Sequence, residues 1–528
     1  MNRLITSVIC GLVGFNTMLH ADPSRPKLVV GIMIDQLRTD YIEYLQNLFG
    51  EKGFKKLMKD GAFLKDVDFK VQGLDPASGT AMIYTGGYPR HNGVTASKVY
   101  DPVTKDMVPT LHDPSIIGNF TTETYSPANL RLSTISDELA IDGAGLAAVY
   151  SIAPDPQQAI IMAGHAGSSA FWINDNTGKW ATTTYYRETP AVVTQRNYNE
   201  PITTRIDTMQ WKPSRPLSSY PGLPAQKRVL DFKHTFPTAD RSVYRMYMSS
   251  PMVNTEVTDV AITYLKDLKV GSRGDAIDML NVGYTAAPYK YVKDGDFRLE
   301  LQDSYLRLDG QLSRLFDAID KYVGLDNTLV YVASTGYYDD AVADDPQYRM
   351  PTGDFSVRRA LSLLNSYLTA RYGNGDYVDT YSAGHIYLDR KNIEERKLDL
   401  NEVAEATRDF LVKMSGVNDA FTMGDIMSSA LPAMEAMRLG TDPKTGGDVV
   451  LEFNAGWNIV NDTKFPNETK VARSSMVQTP VFIMGCGVTP AVVGTPVDAT
   501  AIAPTVTQVL RIRSPNGAES KPLDLVHK

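Results

Sequence analysis

Leu28-Val-Val-Gly-Ile-Met-Ile34, followed at once by Asp35, decides how the chain folds. Seven residues without a charge, rich in branched aliphatics, form the pattern of a strand buried on both faces of a parallel sheet. In open α/β sheets ligands gather beyond the C-terminal ends of such strands, so Asp35 stands where chemistry is expected. Tyr41 to Lys59 then reads as a helix, completing the first half of a βαβ unit. The alternation returns near the middle: Ala276 to Tyr284 predicts a strand, Leu301 to Tyr322 a long helix and Thr328 to Ala333 another strand. Leu308, Leu312, Leu315, Phe316 and Ile319 share one face of that helix at 3.6-residue spacing.

Outward from this frame the texture changes. Residues from about 165 to 250 are rich in Trp, Tyr, Thr and Pro, with strand-like pieces such as Trp180 to Tyr186. Residues from about 355 to 450 mix helical segments, Ala360 to Tyr372 and Leu400 to Met414, with short strands. The order predicts one discontinuous α/β domain over residues 22–528, carrying these two stretches as insertions. There is no internal repeat and no low-complexity segment.

Arg3, the apolar stretch Leu4 to Phe15 and small Ala21 read as a secretory signal over residues 1–21. The apolar stretch falls short of the roughly 20 residues that span a bilayer. Cys10 offers a lipidation alternative, but bulky Ile9 precedes it. Cleavage at Ala21 leaves Cys486 alone, so no disulfide forms within one mature chain. Cys486 closes the run Pro480 to Cys486, which reads as a buried strand with the thiol as a small hydrophobe. The net charge of −8, or −9 without Arg3, argues against nucleic acid as a partner. The expected location is the periplasm or the outer-membrane surface, with no spanning segment after cleavage.

Several stretches resemble one family. Lys27 to Tyr41 is similar to the opening strand of the alkaline phosphatase superfamily (type I phosphodiesterase/nucleotide pyrophosphatase-like). Within it the match is to the phosphate-irrepressible periplasmic branch. Ile83-Tyr-Thr-Gly-Gly-Tyr-Pro-Arg-His-Asn-Gly-Val94 resembles the segment after that branch's nucleophile. Ala163-Gly-His165, Phe171-Trp172, Thr184-Tyr-Tyr186, Ile386 to Arg396 and Gly446 to Trp457 continue the likeness to about residue 490. The resemblance implies a three-layer α/β sandwich around a mostly parallel sheet. It also implies phosphoryl transfer to a Ser or Thr hydroxyl, assisted by two zinc ions about 3.5–4 Å apart.

Position by position, that chemistry is missing. The resemblance places the nucleophile at Pro76, which has no hydroxyl; Ser78 and Thr80 are the nearby fallbacks. Asp35 matches the first metal ligand. The next Asp and His positions hold Pro288 and Val292, and the following Asp-His pair holds Ser334 and Thr335. Residues 462–478 contain no histidine for the last ligand. The family's Lys and Arg fall near Asp155 and Gln157, and its Asn on Ser97. Zinc sites need about three or four donors each, and one carboxylate cannot supply them. His91, His112, His165, His234, His385 and His527 lie far apart in sequence. His165 reads as a structural side chain in a turn. Asp35 itself admits a fold role, accepting backbone N–H groups at a helix start. Asp339, Asp340, Asp344 and Asp345 form an acidic cluster broken by Pro346, read as a solvated loop rather than a calcium site. There is no glycine-rich phosphate loop and no Ser-His-Asp arrangement.

The expectation is therefore a catalytically degenerate phosphatase-like envelope protein with a binding or assembly role, without cofactor and with an envelope protein as partner. The alternative is an active phosphomonoesterase or phosphodiesterase that holds two zinc ions through shifted residues.

Overall fold

The computed structural model describes residues 25–223, 225–229, 231–274, 276–293, 295–338, 353–463, 468–472 and 477–525. The expected signal with Cys10 and the acidic cluster Asp339 to Asp345 lie outside the described residues. No described helix is long and apolar enough to cross a membrane.

A ten-stranded sheet organises the chain. Its strands, with those of a smaller sheet, are β1 (Leu28–Asp35), β2 (Gly61–Leu64), β3 (Gly118–Asn119), β4 (Val149–Ala153), β5 (Ser169–Ile173), β6 (Trp180–Thr183), β7 (Asp278–Thr285), β8 (Thr328–Ser334), β9 (Val378–Ser382), β10 (His385–Leu388), β11 (Val417–Thr422), β12 (Val449–Phe453), β13 (Val481–Met484) and β14 (Ala491–Val493). The large sheet runs β14-β2-β13-β8-β1-β7-β4-β5-β6-β3. Its centre, β8-β1-β7-β4-β5, is wholly parallel. β13 and β6 pair antiparallel on either side of it.

β1 is central because both its faces can be buried. Leu28, Val30, Ile32 and Ile34 join one apolar layer, while Val29 and Met33 join the other. The first layer is covered by α1 (Thr39–Leu45), α2 (Phe54–Asp60) and two long helices, Met252–Asp267 and Arg298–Tyr322. α3 (Pro76–Thr85), α4 (Pro156–Ala163) and the helix Ile502–Leu510 cover the second. The result is the expected α/β three-layer sandwich. β9-β10-β12-β11 forms a separate four-stranded sheet with its own core, packed by helices Val357–Tyr372 and Leu400–Leu411.

Three local expectations need correction. Residues 41–59 are two helices, because the buried carboxylate of Asp309 reaches between them. It accepts Gly50 N–H and Phe54 N–H, both at 2.8 Å, holding the chain open at Gly50 to Gly53. Cys486 lies past the end of β13, half-buried in a turn where Gly485, Cys486 and Gly487 all have positive φ. β5 and β6 belong to the large sheet, so residues 165–183 extend the core rather than sit outside it.

Candidate functional site

The end of β8 meets the first turns of α3, with the end of β1 paired beside it. In-register pairing sets Asp35 beside Thr285 of β7 and Ile34 beside Ser334 of β8. The Thr335 hydroxyl then donates to Asp35 Oδ1 at 2.8 Å. The side chain of Gln36, whose φ is 61°, adds a long contact of 3.5 Å to the other oxygen. Burial pushes the Asp35 carboxyl up to about 7; the Thr335 and Gln36 hydrogen bonds oppose this, and the charges of Asp155 and Asp75 add to it. Asp35 accepts no backbone N–H from the following helix, whose start at Arg38 has no side-chain cap. The fold role read from the sequence is thus replaced by the bond from Thr335.

α3 opens on Asp75-Pro76. Asp75 is the N-cap: its Oδ1 accepts from Ala77 N–H at 2.9 Å and from the Ser97 hydroxyl at 2.6 Å. Pro76 takes the first helical position, where no backbone donor is needed. Gly79 fixes the register. A Cβ there would lie 1.7 Å from the carbonyl oxygen of Thr335, so the helix can touch the end of β8 only with glycine at this point. Pro76 therefore sits at the mouth of the site, where the resemblance places the nucleophile.

Both fallback hydroxyls are bonded within α3. Ser78 Oγ closes a capping box, donating to the Asp75 carbonyl at 2.9 Å while accepting its N–H at 3.0 Å. Thr80 Oγ1 donates to the Pro76 carbonyl at 2.8 Å. Both residues are buried within the helix.

α4 repeats the same opening, Asp155-Pro156, on the neighbouring edge. Asp155 Oδ1 accepts Gln158 N–H at 2.9 Å. Gln157 Nε2 donates to the Ser97 carbonyl at 2.5 Å, linking this helix start to the residue that bonds Asp75. Asp75 and Asp155 are both raised above the ordinary carboxylate range, chiefly by burial, opposed by their hydrogen bonds and reinforced for Asp155 by Asp75 and Glu123. The Asp155 side chain is open to solvent. Lys470, on the strand Glu468–Val471, pulls Asp75 the other way.

The structure thus brings together Asp35, Thr335, Asp75, Pro76, Ser97, Asp155 and Gln157. It does not bring in Pro288 or Val292: Pro288 is buried, and Val292 packs against the apolar layer. His165 spans Asp137 Oδ2 at 3.1 Å and the Leu130 carbonyl at 2.8 Å, tying a turn rather than facing the site. A two-zinc centre does not fit these residues. Proline and valine lack donor atoms, Thr335 spends its hydroxyl on Asp35, and no group of three His, Cys, Asp or Glu among the described residues is spaced to hold a metal ion. Of the two acids, Asp155 was met in the sequence as the residue near the family's lysine position, and Asp75 was not singled out. Their signal was the repeated Asp-Pro pair, an N-cap followed by a proline at the first helical position.

Comparison with known proteins now places the fold. The profile of the type I phosphodiesterase/nucleotide pyrophosphatase family matches residues 29–476. The chain belongs to this family. Among its phosphodiesterase-family relatives, alkaline phosphatase PafA of Elizabethkingia meningoseptica is 29% identical over 98% of this chain and 97% of its own length. Alkaline phosphatase PhoV of Synechococcus elongatus is 28% identical over 94% of this chain and 92% of its own. The crystal structure of wild-type PafA superposes with a TM-score of 0.80 at 27% identity, covering 95% of this chain and 99% of that one. The family likeness read from the sequence is therefore established, and so is the mostly parallel α/β sandwich.

Proposed function

We propose that this family member is catalytically silent and uses the phosphatase scaffold for binding or assembly in the cell envelope, with an envelope protein as partner. The observation that carries the reading is the α3 N-terminus. Pro76 offers no nucleophilic oxygen, and the hydroxyls of Ser78 and Thr80 are buried and bonded to their own helix. Nucleophilic catalysis needs an oxygen free to attack and a means of ionising it. A helix N-terminus would ordinarily favour a phosphate through its N–H groups and dipole. Here Asp75 and Asp155 put the protein's own carboxylates on those N–H groups, so an incoming phosphate meets like charge.

The second reading is supported by the relatives, both of which are named as alkaline phosphatases. In it the chain hydrolyses phosphate esters through shifted residues. Assay of the purified mature protein with p-nitrophenyl phosphate and bis-p-nitrophenyl phosphate, with and without added zinc, separates the two. Silence with both esters in a folded sample supports the first reading. Turnover that is lost on zinc chelation and regained on zinc addition establishes the second.

A further inference from the structure

A cleft of about 350 Å³ lies between the four-stranded sheet and segments 72–74 and 95–99 of the main body. That volume suits one small molecule, since ligand sites run from about 300 to 1,000 Å³. Asp35, Pro76 and Thr335 do not line it. His385 enters the cleft from the tip of the β9-β10 hairpin. Ser382 pairs with His385 across the two-residue turn Ala383-Gly384, whose φ angles of 49° and 89° are both left-handed. Leu451 N–H of β12 donates to the Gly384 carbonyl at 2.8 Å and pins that tip. Gly447 then comes close beside it. A Cβ there would lie 2.5 Å from the Ile386 carbonyl oxygen and 2.9 Å from the His385 Cβ, so glycine is what lets its N–H reach the ring.

The His385 ring presents an unmet donor. Its Nδ1 accepts Gly447 N–H at 3.3 Å, which assigns the proton of the neutral ring to Nε2. Burial keeps the ring neutral, its pKa lowered to about 4. Nε2 has no hydrogen-bond partner among the described residues and is not sealed in protein, so its N–H faces the cleft that His385 lines. The aromatic floor is fixed. The Tyr387 hydroxyl donates to the Thr445 carbonyl at 3.0 Å and its ring packs 4.8 Å from that of Tyr100, while Phe453 packs edge-on against Phe355 at 5.0 Å. Charge sits at the rim. Lys98 is exposed with no ion-pair partner among the described residues, and Lys470 Nζ lies 5.6 Å from the centre of the Tyr337 ring. Of the acids lining the cleft, Asp442 is buried and paired with Arg131, which leaves Glu452 against two lysines.

We propose that this cleft binds a small organic anion with an apolar body. His385 Nε2–H donates to the anionic oxygen, Lys98 and Lys470 attract the charge at the rim, and the Tyr387 and Phe453 side carries the body. An amine fits worse, because the unmet group inside is a donor and the surplus charge at the rim is positive. A bare metal ion also fits worse: no group of three His, Cys, Asp or Glu among the described residues is spaced to hold one. The head group is a carboxylate or a phosphorus oxyanion, since both accept from an N–H, and the titrants below separate them. The inference goes beyond the silent-scaffold reading and does not depend on it, because Pro76 lies outside this cleft.

Isothermal titration calorimetry on the mature protein at fixed ionic strength tests it, with 3-phenylpropionate, phenylphosphonate and 3-phenylpropylamine as separate titrants. His385→Asn and His385→Gln are paired variants. The asparagine amide reaches only the Nδ1 position and keeps the bond to Gly447, whereas the longer glutamine amide carries an N–H to the Nε2 position. Lys98→Met is the third variant, at an exposed site where folding is not at stake. The expected result is saturable binding of at least one anion and not of the amine. Binding weakens about tenfold in His385→Asn, returns to within about twofold in His385→Gln, and weakens about threefold in Lys98→Met. The tighter anion identifies the head group. Equal binding of the amine, or anion binding unchanged in His385→Asn, overturns the proposal. No binding of any titrant at millimolar concentration overturns it too. If His385→Asn loses its folded circular dichroism spectrum, Lys98→Met decides, and anion binding unchanged there overturns the proposal.

Discussion

Gly79→Ala reads out the register of α3, and with it the placement of Pro76. Inside an ordinary helix this change stabilises by up to about 1 kcal/mol, because alanine loses less backbone freedom on folding. Here the new Cβ would sit 1.7 Å from the Thr335 carbonyl oxygen and 2.7 Å from its carbonyl carbon. Those are backbone atoms at the end of a fully buried strand and cannot rotate aside. Helix and strand must separate by well over an ångström to restore ordinary contact. Overpacking of this kind costs typically 1–3 kcal/mol and occasionally more. The clash also strikes Thr335, whose hydroxyl holds Asp35. We expect a net loss of about 2 kcal/mol or more, seen as a lower urea midpoint at unchanged slope. Equilibrium unfolding followed by circular dichroism measures it. A variant as stable as the parent, or more so, would show that Gly79 does not pack on β8 and that Pro76 is misplaced.

Other outcomes follow from the same structure. Pro76→Thr supplies a hydroxyl where the resemblance implies the nucleophile, and we expect no ester hydrolysis above background, because the implied metal positions remain Pro288, Val292, Ser334 and Thr335; turnover gained by this single change would refute the silent-scaffold reading. Asp309→Ala strands the N–H groups of Gly50 and Phe54, and at about 1–3 kcal/mol for a charged acceptor should lower the unfolding midpoint; an unchanged midpoint would mean the break between α1 and α2 is held otherwise. Burial depresses the His385 ring to about 4. Its ordinary value near 6.5 belongs to the unfolded chain, so the unfolded state binds the proton first and stability falls as pH drops from about 6.5 to about 4. The loss is ~3 kcal/mol at most, less in proportion to the solvent that reaches the ring; unfolding midpoints between pH 7 and 5 should therefore fall less steeply in His385→Gln, and parallel curves would contradict it.

The frame was legible because burial on both faces writes a continuous apolar run, as at Leu28 to Ile34, and a long amphipathic stripe, as at Leu308 to Ile319. What the sequence concealed came from distant contacts. Nothing between Tyr41 and Lys59 announces that Asp309, some 250 residues on, will enter and split the helix. Cys486 reads as the end of a strand until the glycines on either side take left-handed backbone angles. At the site, the positions where the resemblance implies a nucleophile and metal ligands were readable in the sequence as Pro76, Pro288, Val292, Ser334 and Thr335. Asp155 was legible only as the residue near the family's lysine position, and Asp75 not at all. Both acids look locally like helix caps, which they are; only the sheet brings the two caps to one cleft.

The zinc content of the untagged mature protein, measured by inductively coupled plasma mass spectrometry after exposure to excess zinc and gel filtration, tests the central claim most directly. A silent scaffold retains well under one zinc per chain, since Asp35 alone cannot hold the ion against water. Two zinc ions per chain, retained through filtration, would contradict it.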